Sequence, residues 1–109
     1  MTESLPETAV VRVGRASFEP GNYAEFEALI RKQADYLVPA IKELPGLLHW
    51  FTGVSPDGST VQISVWDSEE HAKQMDDLKL MAVVARGEME AIGGKFERPI
   101  INYPMTWTI

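Results

Sequence analysis

Five side chains in this sequence are of types that bind or transform small molecules: Arg12, His49, Trp50, Trp66 and Tyr103. His49 and Trp50 are neighbours in a run that reads as a strand, so they point to opposite faces. One of them lines an interior cleft and the other faces away. An imidazole titrates near neutral pH, which makes His49 the candidate catalytic base, against a hydrogen-bonded structural histidine. Trp66 ends a valine-rich strand where a helix begins. Its ring is either a packing residue at that corner or a cleft wall that stacks on a flat ligand. Arg12 lies in an apolar strand and needs a partner, because an unpaired buried charge is costly. It pairs across a dimer or holds an anionic group of a substrate. Arg15 falls on the opposite face. Tyr103, Tyr23 and Tyr36 carry phenol hydroxyls that suit a ligand or the rim of a core. Trp50, Trp66, Arg12 and Tyr103 form the candidate substrate-binding set.

Other chemistries lack their residues. There are no cysteines, which excludes disulfides, thiolate metal sites and a cysteine nucleophile and fits a reducing compartment. His71 follows Glu69-Glu70, but no further ligands stand at zinc spacing. No glycine-rich phosphate loop, nucleophile elbow or paired-carboxylate motif is present. No metal and no cofactor are therefore expected. The 10 Lys and Arg against 16 Asp and Glu give a net charge of −6, which repels phosphate backbones and argues against nucleic acid as a partner. No apolar run approaches the roughly 20 residues that span a bilayer. Residues 1–7 carry acid where a secretory signal would carry base and an apolar stretch. The expected location is the cytoplasm, without a membrane partner.

The elements that must position these side chains follow from periodicity. The chain has 109 residues, 45% of them hydrophobic, enough for one domain with its own core. Residues 1–8 read as a flexible polar tail and 9–109 as the domain. Residues 9–18 read as a first strand, broken by Glu19-Pro20-Gly21. Asn22, with Glu25 three residues on, predicts a capping box for a helix. Tyr23, Phe26, Ile30, Leu37, Ile41 and Leu44 line one face of that helix. Pro39 predicts a kink or a second short helix near Val38. Residues 47–54 and 60–66 form a hairpin around Ser55-Pro56-Asp57-Gly58. A second helical region opens at Asp67-Ser68-Glu69-Glu70, is irregular at Asp76-Asp77, and stops at Gly93-Gly94. A last strand lies within residues 96–109, interrupted by Pro99 and Pro104. The order strand, helix, strand, strand, helix, strand predicts an α+β, ferredoxin-like βαββαβ fold with a four-stranded antiparallel sheet. Val11, Val13, Val61, Ile63 and Val65, or their neighbours, would lie on the face away from the helices, since both parities of the first strand contain valine. Such a face needs cover, and a second copy of the chain is the expected partner.

Four stretches carry a family resemblance: Phe18-Glu19-Pro20-Gly21 after the first strand, Leu44-Pro45-Gly46-Leu47 before the second, the Asp57-Gly58 turn, and Val61-Gln62-Ile63-Ser64-Val65-Trp66-Asp67-Ser68-Glu69-Glu70. In these the chain, from about Ala9 to Ile109, resembles dimeric α/β-barrel proteins of the antibiotic-biosynthesis-monooxygenase type. The resemblance implies two sheets packed face to face, a cleft in each subunit between sheet and helices, and, in some members, oxidation of aromatic compounds without metal or flavin. Haem-degrading members of similar layout use an asparagine, a tryptophan and an axial histidine. Those would fall near Gly14, Met75 and Ala85, so the resemblance does not extend to haem. The expected function is small-molecule binding in the cleft, with cofactor-independent monooxygenation of an aromatic or quinol-like substrate. The alternative is a non-catalytic dimeric binding or regulatory module.

Overall fold

The computed structural model describes residues 5–109; residues 1–4 of the expected tail lie outside them. Residues 6–8 are tied to the domain: the amide of Ala9 donates to the Pro6 carbonyl, and the Thr8 hydroxyl donates to the carbonyl of Asp67 at 2.6 Å. Strand β1 spans Val10–Ser17, helix α1 Tyr23–Lys42, β2 Leu47–Ser55 and β3 Ser59–Trp66. Three short helices follow, α2 (Glu69–Ala72), α3 (Gln74–Asp77) and α4 (Arg86–Ala91), with a π-helical turn at Leu80–Ala85 before α4. Strands β4 (Lys95–Phe96) and β5 (Ile101–Pro104) close the order.

The sheet is antiparallel and open, in the order β2-β3-β1, with β4 and β5 both on the outer side of β1. This is the ferredoxin-like arrangement with one correction to its expected four strands. The fourth strand is two pieces: β4 pairs with Ala16 and Ser17, and β5 pairs with Val10 to Val13. Pro99, between them, has no amide hydrogen for a ladder. Sheet continuity passes through the Glu97 amide, which donates to the Arg15 carbonyl.

Register decides what each face carries. Val10, Arg12, Gly14 and Ala16 stand opposite Trp66, Ser64, Gln62 and Thr60, on the helix side. Val11, Val13 and Arg15 stand opposite Val65, Ile63 and Val61, on the open side. The middle of the helix side is thus polar, and the apolar core divides. One cluster joins Val10 and Trp66 to Leu37, Ile41, Ala72 and Met75. The other joins Ala16, Phe18, Phe26 and Met89, with the Phe18 and Phe26 rings stacked 4.2 Å apart.

Three local expectations are corrected. Asn22 makes no side-chain cap; it ends a 3₁₀ turn, Pro20–Asn22, whose own hydrogen bond to Glu19 replaces it. Helix α1 runs unbroken through Pro39. The proline leaves the carbonyl of exposed Asp35 without its helical donor, and water can supply that bond. The second helical region is broken more deeply than expected, with an extended residue at Leu78 between α3 and the π turn.

The corner before β2 depends on Gly46. Its φ is +88°, and an added Cβ would overlap the His71 ring and lie 2.5 Å from an Asp67 carboxylate oxygen. Asp67 donates its amide to the Gly46 carbonyl, His71 contacts the Asp67 carboxylate at 2.6 Å, and Gln74 donates to the Pro45 carbonyl. Gly46→Ala should therefore cost about 2–4 kcal/mol, from left-handed backbone strain plus overpacking. Denaturant unfolding measures it; an unchanged midpoint would contradict this account of the corner.

Helix α1 is clamped to the π turn and α4 by polar contacts. Buried Gln33 donates to the Ala85 carbonyl at 3.0 Å and to Glu88, and the Tyr36 hydroxyl donates to the same Glu88 oxygen. Burial first, then the Glu88 hydrogen bond and charge, raises the Tyr36 phenol to about 12. The Tyr36 hydrogen bond, followed by that of Gln33, lowers the Glu88 carboxyl. The folded state thus holds the phenol proton more tightly than the unfolded state. That contribution is complete below the ordinary tyrosine value of roughly 10 and is lost as pH rises toward 12. Ultraviolet titration should resolve one tyrosine ionising near 12, and Tyr36→Phe should delete that phase.

Candidate functional site

Between the polar middle of the sheet and the helical layer lies a cavity of about 90 Å³. Its sheet wall is Arg12 and Gly14 from β1, Gln62 and Ser64 from β3, and Trp50 from β2; its opposite wall is Asp76, Met81 and Arg86. Strand pairing sets the first group side by side, since Ser64 faces Arg12 on one side and Trp50 on the other. A register irregularity between Leu47 and His49 puts Leu48 out of step, leaving Trp50 on the cavity side and His49 on the open side. The π turn presents Met81 and Ala82 to the cavity and ends where Arg86 begins α4. Such irregular turns often occur at functional sites.

Two guanidinium groups dominate the electrostatics. Arg12 is 7% exposed. It donates to the Asn102 side-chain oxygen at 3.3 Å and forms an ion pair with Asp76, whose carboxylate is mostly in solvent. Arg86 has no such anchor. Its Nε is buried without a hydrogen-bond partner among the described residues, and its guanidinium lies over the Phe96 ring, 5.1 Å from the centroid. Burial, then repulsion from Arg98, lowers its pKa; Glu90 partly opposes this, and Arg12 adds to the repulsion. The Trp50 indole N–H donates to the Thr52 hydroxyl at 2.8 Å, which fixes the ring.

A wider groove of about 790 Å³ adjoins the cavity between α1 and β2. Ile30, Leu37, Ile41 and Leu47 make it apolar, and Trp50, Gln62 and Met81 line both spaces. The cavity alone holds a few water-sized groups. Cavity and groove together reach the size of ordinary ligand sites.

The structure brings Arg12 and Trp50 together in this site. Trp66 is fully buried in the core, with its indole N–H on the Ser64 hydroxyl at 2.8 Å. It leaves no ring face for a ligand, which corrects its reading as a cleft wall. His49 borders the groove from the edge strand, but its ring lies beside Phe51 on the open face. Tyr103 is also on the open face, opposite Val11 and half exposed. Neither joins the cavity, because each has the opposite strand parity from Arg12 and Trp50. Sequence reasoning missed Gln62, Ser64 and Arg86. The first two had a signal, a polar alternation in β3 that normally marks a solvent face. Arg86, after the apolar run Ala82-Val83-Val84-Ala85, had none that distinguishes it from a surface cation.

No known family pattern matches the sequence, and no curated protein matches it. Solved structures do match in shape. A candidate antibiotic biosynthesis monooxygenase from Deinococcus radiodurans is 17% identical, with a TM-score of 0.69 over 92% of this chain and 95% of that one. A point mutant of SnoaB, a cofactor-independent oxygenase from Streptomyces nogalater, is 18% identical, with a TM-score of 0.64 over 94% and 97%. A conserved protein from Methanosarcina mazei Go1 is 14% identical, with a TM-score of 0.66 over 92% and 95%. The chain therefore has the ferredoxin-like fold of these structures.

Proposed function

We propose that the chain binds a flat, electron-rich aromatic molecule in this cleft and oxygenates it without metal or flavin. The observation that carries the reading is a cavity with two guanidinium groups in its walls, opening onto an apolar groove beside Trp50. Cofactor-free oxygenation needs a substrate whose deprotonated form can give an electron to dioxygen. Nearby guanidinium groups lower the free energy of that anion in a site sheltered from water. Recombination of the substrate and oxygen radicals gives a peroxide. For a benzylic CH₂, loss of water then leaves a carbonyl, with one oxygen atom in the product and the other in water. Trp50 is the aromatic wall, and the positive field of Arg12 and Arg86 beside it favours the developing negative charge. His49 is not assigned the role of base, since it lies across the sheet from the cavity.

The reading includes a homodimer and a cytoplasmic location. The dimer rests on the open sheet face, where Val11, Val13, Val61 and Ile63 adjoin Phe51, Ile101 and Tyr103, three side chains about half exposed. The location rests on the absence of cysteines. Among the described residues, no helix is long and apolar enough to cross a membrane. Covering the open face contributes about 25 cal/mol per Å² of apolar area, and obligate dimers commonly bury more than roughly 2,000 Å². A non-catalytic binding module is the second reading. One observation favours it: among the described residues, the only carboxylate lining the cavity is Asp76, already engaged by Arg12, so none of them offers a free base there.

Oxygen uptake with a panel of anthrones and hydroquinones separates the two readings. Chelator-treated protein should turn over at least one substrate above the buffer rate, and Trp50→Ala should lower kcat/KM by about tenfold or more through lost packing on the ring. Binding without turnover leaves the module. Light scattering at micromolar concentration should return twice the chain mass. Ile63→Lys should give insoluble or unfolded protein, because it places a charge in the centre of the covered face. A wild-type monomer would remove the dimer from the proposal.

A further inference from the structure

We infer that the small inner cavity is an anion subsite, in which Arg86 and Arg12 together hold the carboxylate of a ligand whose aromatic body lies in the adjoining groove. The inference rests on the cleft being the ligand site and adds the chemical class of what enters it.

The first ground is the unpartnered donor. A buried N–H without an acceptor is costly, and native structures rarely leave one without a reason. The Arg86 Nε is such a donor, at the cavity wall. Asp76 and Glu90 influence Arg86 through their charge, but neither forms an ion pair with it. The cation–π contact with Phe96 occupies a face of the guanidinium and leaves its in-plane donors to be satisfied.

The second ground is charge. The charged side chains in the cavity walls are Arg12, Arg86 and Asp76, two cations and one anion, so +2 − 1 = +1, and Arg15 borders the space only from the open-face parity. The whole chain carries −6. A local excess of cations against that background, around a partly buried guanidinium that two other arginines repel, is relieved by a bound anion. The neutral groups suit the same guest. Because the Ser64 oxygen accepts from the Trp66 indole, its own proton is free to donate, and the Gln62 amide supplies further donors.

The third ground is size. A space of about 90 Å³ admits a carboxylate and excludes an aromatic ring. The groove of about 790 Å³ admits the ring, and Trp50, Gln62 and Met81 join the two. Arginine binds a planar carboxylate through paired N–H donors, which favours a carboxylate head on a flat body over a simple hydrophobe.

Calorimetric titration with 2-naphthoate and with 2-naphthylmethanol, its neutral counterpart, tests this. The acid should bind wild type at least about tenfold tighter, the factor expected for charge-assisted hydrogen bonds. Arg86→Met should bring the ratio to about one, and Arg86→Lys should recover part of it. Arg86→Met should also leave the thermal midpoint unchanged or raise it, since it removes a buried donor that has no partner; a purely structural arginine would lower it. Salt gives a measurement that needs no variant: added chloride should weaken the acid and not the alcohol. Equal affinity for both compounds in wild type overturns the anion subsite and leaves the cleft as a ligand site. Binding of neither overturns both.

Discussion

The constraint on which the rest depends is the parity of strands β1 and β3. In a two-layer α+β domain the apolar face of the sheet ordinarily packs against the helices. Here the pattern is reversed in the middle of the sheet. Val11, Val13, Val61, Ile63 and Val65 face away from the helices, while Arg12, Gly14, Gln62 and Ser64 face them. Strand periodicity admits no compromise, because a slip of one residue exchanges the two faces completely. Two consequences follow from this choice. The helical layer covers a polar centre, which becomes a cavity, and the sheet keeps an apolar surface that favours a second layer.

The core adjusts to that reversal by dividing. At one end of the sheet Val10 and Trp66 return the helix side to apolar character, and at the other Ala16 and Phe18 do so. Helix α1 spans both clusters through Phe26 at one end and Leu37 and Ile41 at the other. The π turn roofs the gap, and Gln33 donates to the Ala85 carbonyl at its end. Rigid packing on either side of a polar gap holds functional side chains in place without filling the space between them. The corner at Gly46, Asp67 and His71 secures the Trp66 end in the same way.

The sequence made the sheet legible because strand signals are local. The alternation in β3, the Ser55-Pro56-Asp57-Gly58 turn and the valines of β1 each specify their element without reference to the rest. Gly58, at φ +100°, takes the left-handed conformation its turn demands. The four stretches that carried the family resemblance show why they travel together. Leu44-Pro45-Gly46-Leu47 and the segment from Trp66 to His71 meet in space at one corner, and the turn at Gly58 hydrogen-bonds to Phe18. The site was only partly legible. Arg12 and Trp50 were visible as polar or aromatic residues on strands, but which parity faced the helices was not, because both parities of the first strand contain valine. His49, Trp50 and Tyr103 therefore could not be sorted between the two faces. The Leu48 irregularity, the π turn and the isolation of Arg86 arise from tertiary packing, and no local pattern encodes them.

Those illegible features share a cost. A π turn has a poorer hydrogen-bond ladder than an α-helix, a cavity loses dispersion contacts on every wall, and a buried guanidinium Nε without an acceptor loses hydration without replacement. Each is locally destabilising, and all three meet around Arg86. The domain tolerates them because the two clusters and the clamp of Gln33, Tyr36 and Glu88 stabilise the surrounding elements. Local sacrifice of stability, confined to one cavity and held there by well-packed neighbours, is what the proposed ligand site requires. The open face carries no comparable defects. Between β1 and β3 its side chains are in register and mostly apolar, with Arg15 and His49 at its margins. One sheet thus separates two tasks by parity alone: odd positions of β1 and β3 offer cover, and even positions hold the cavity.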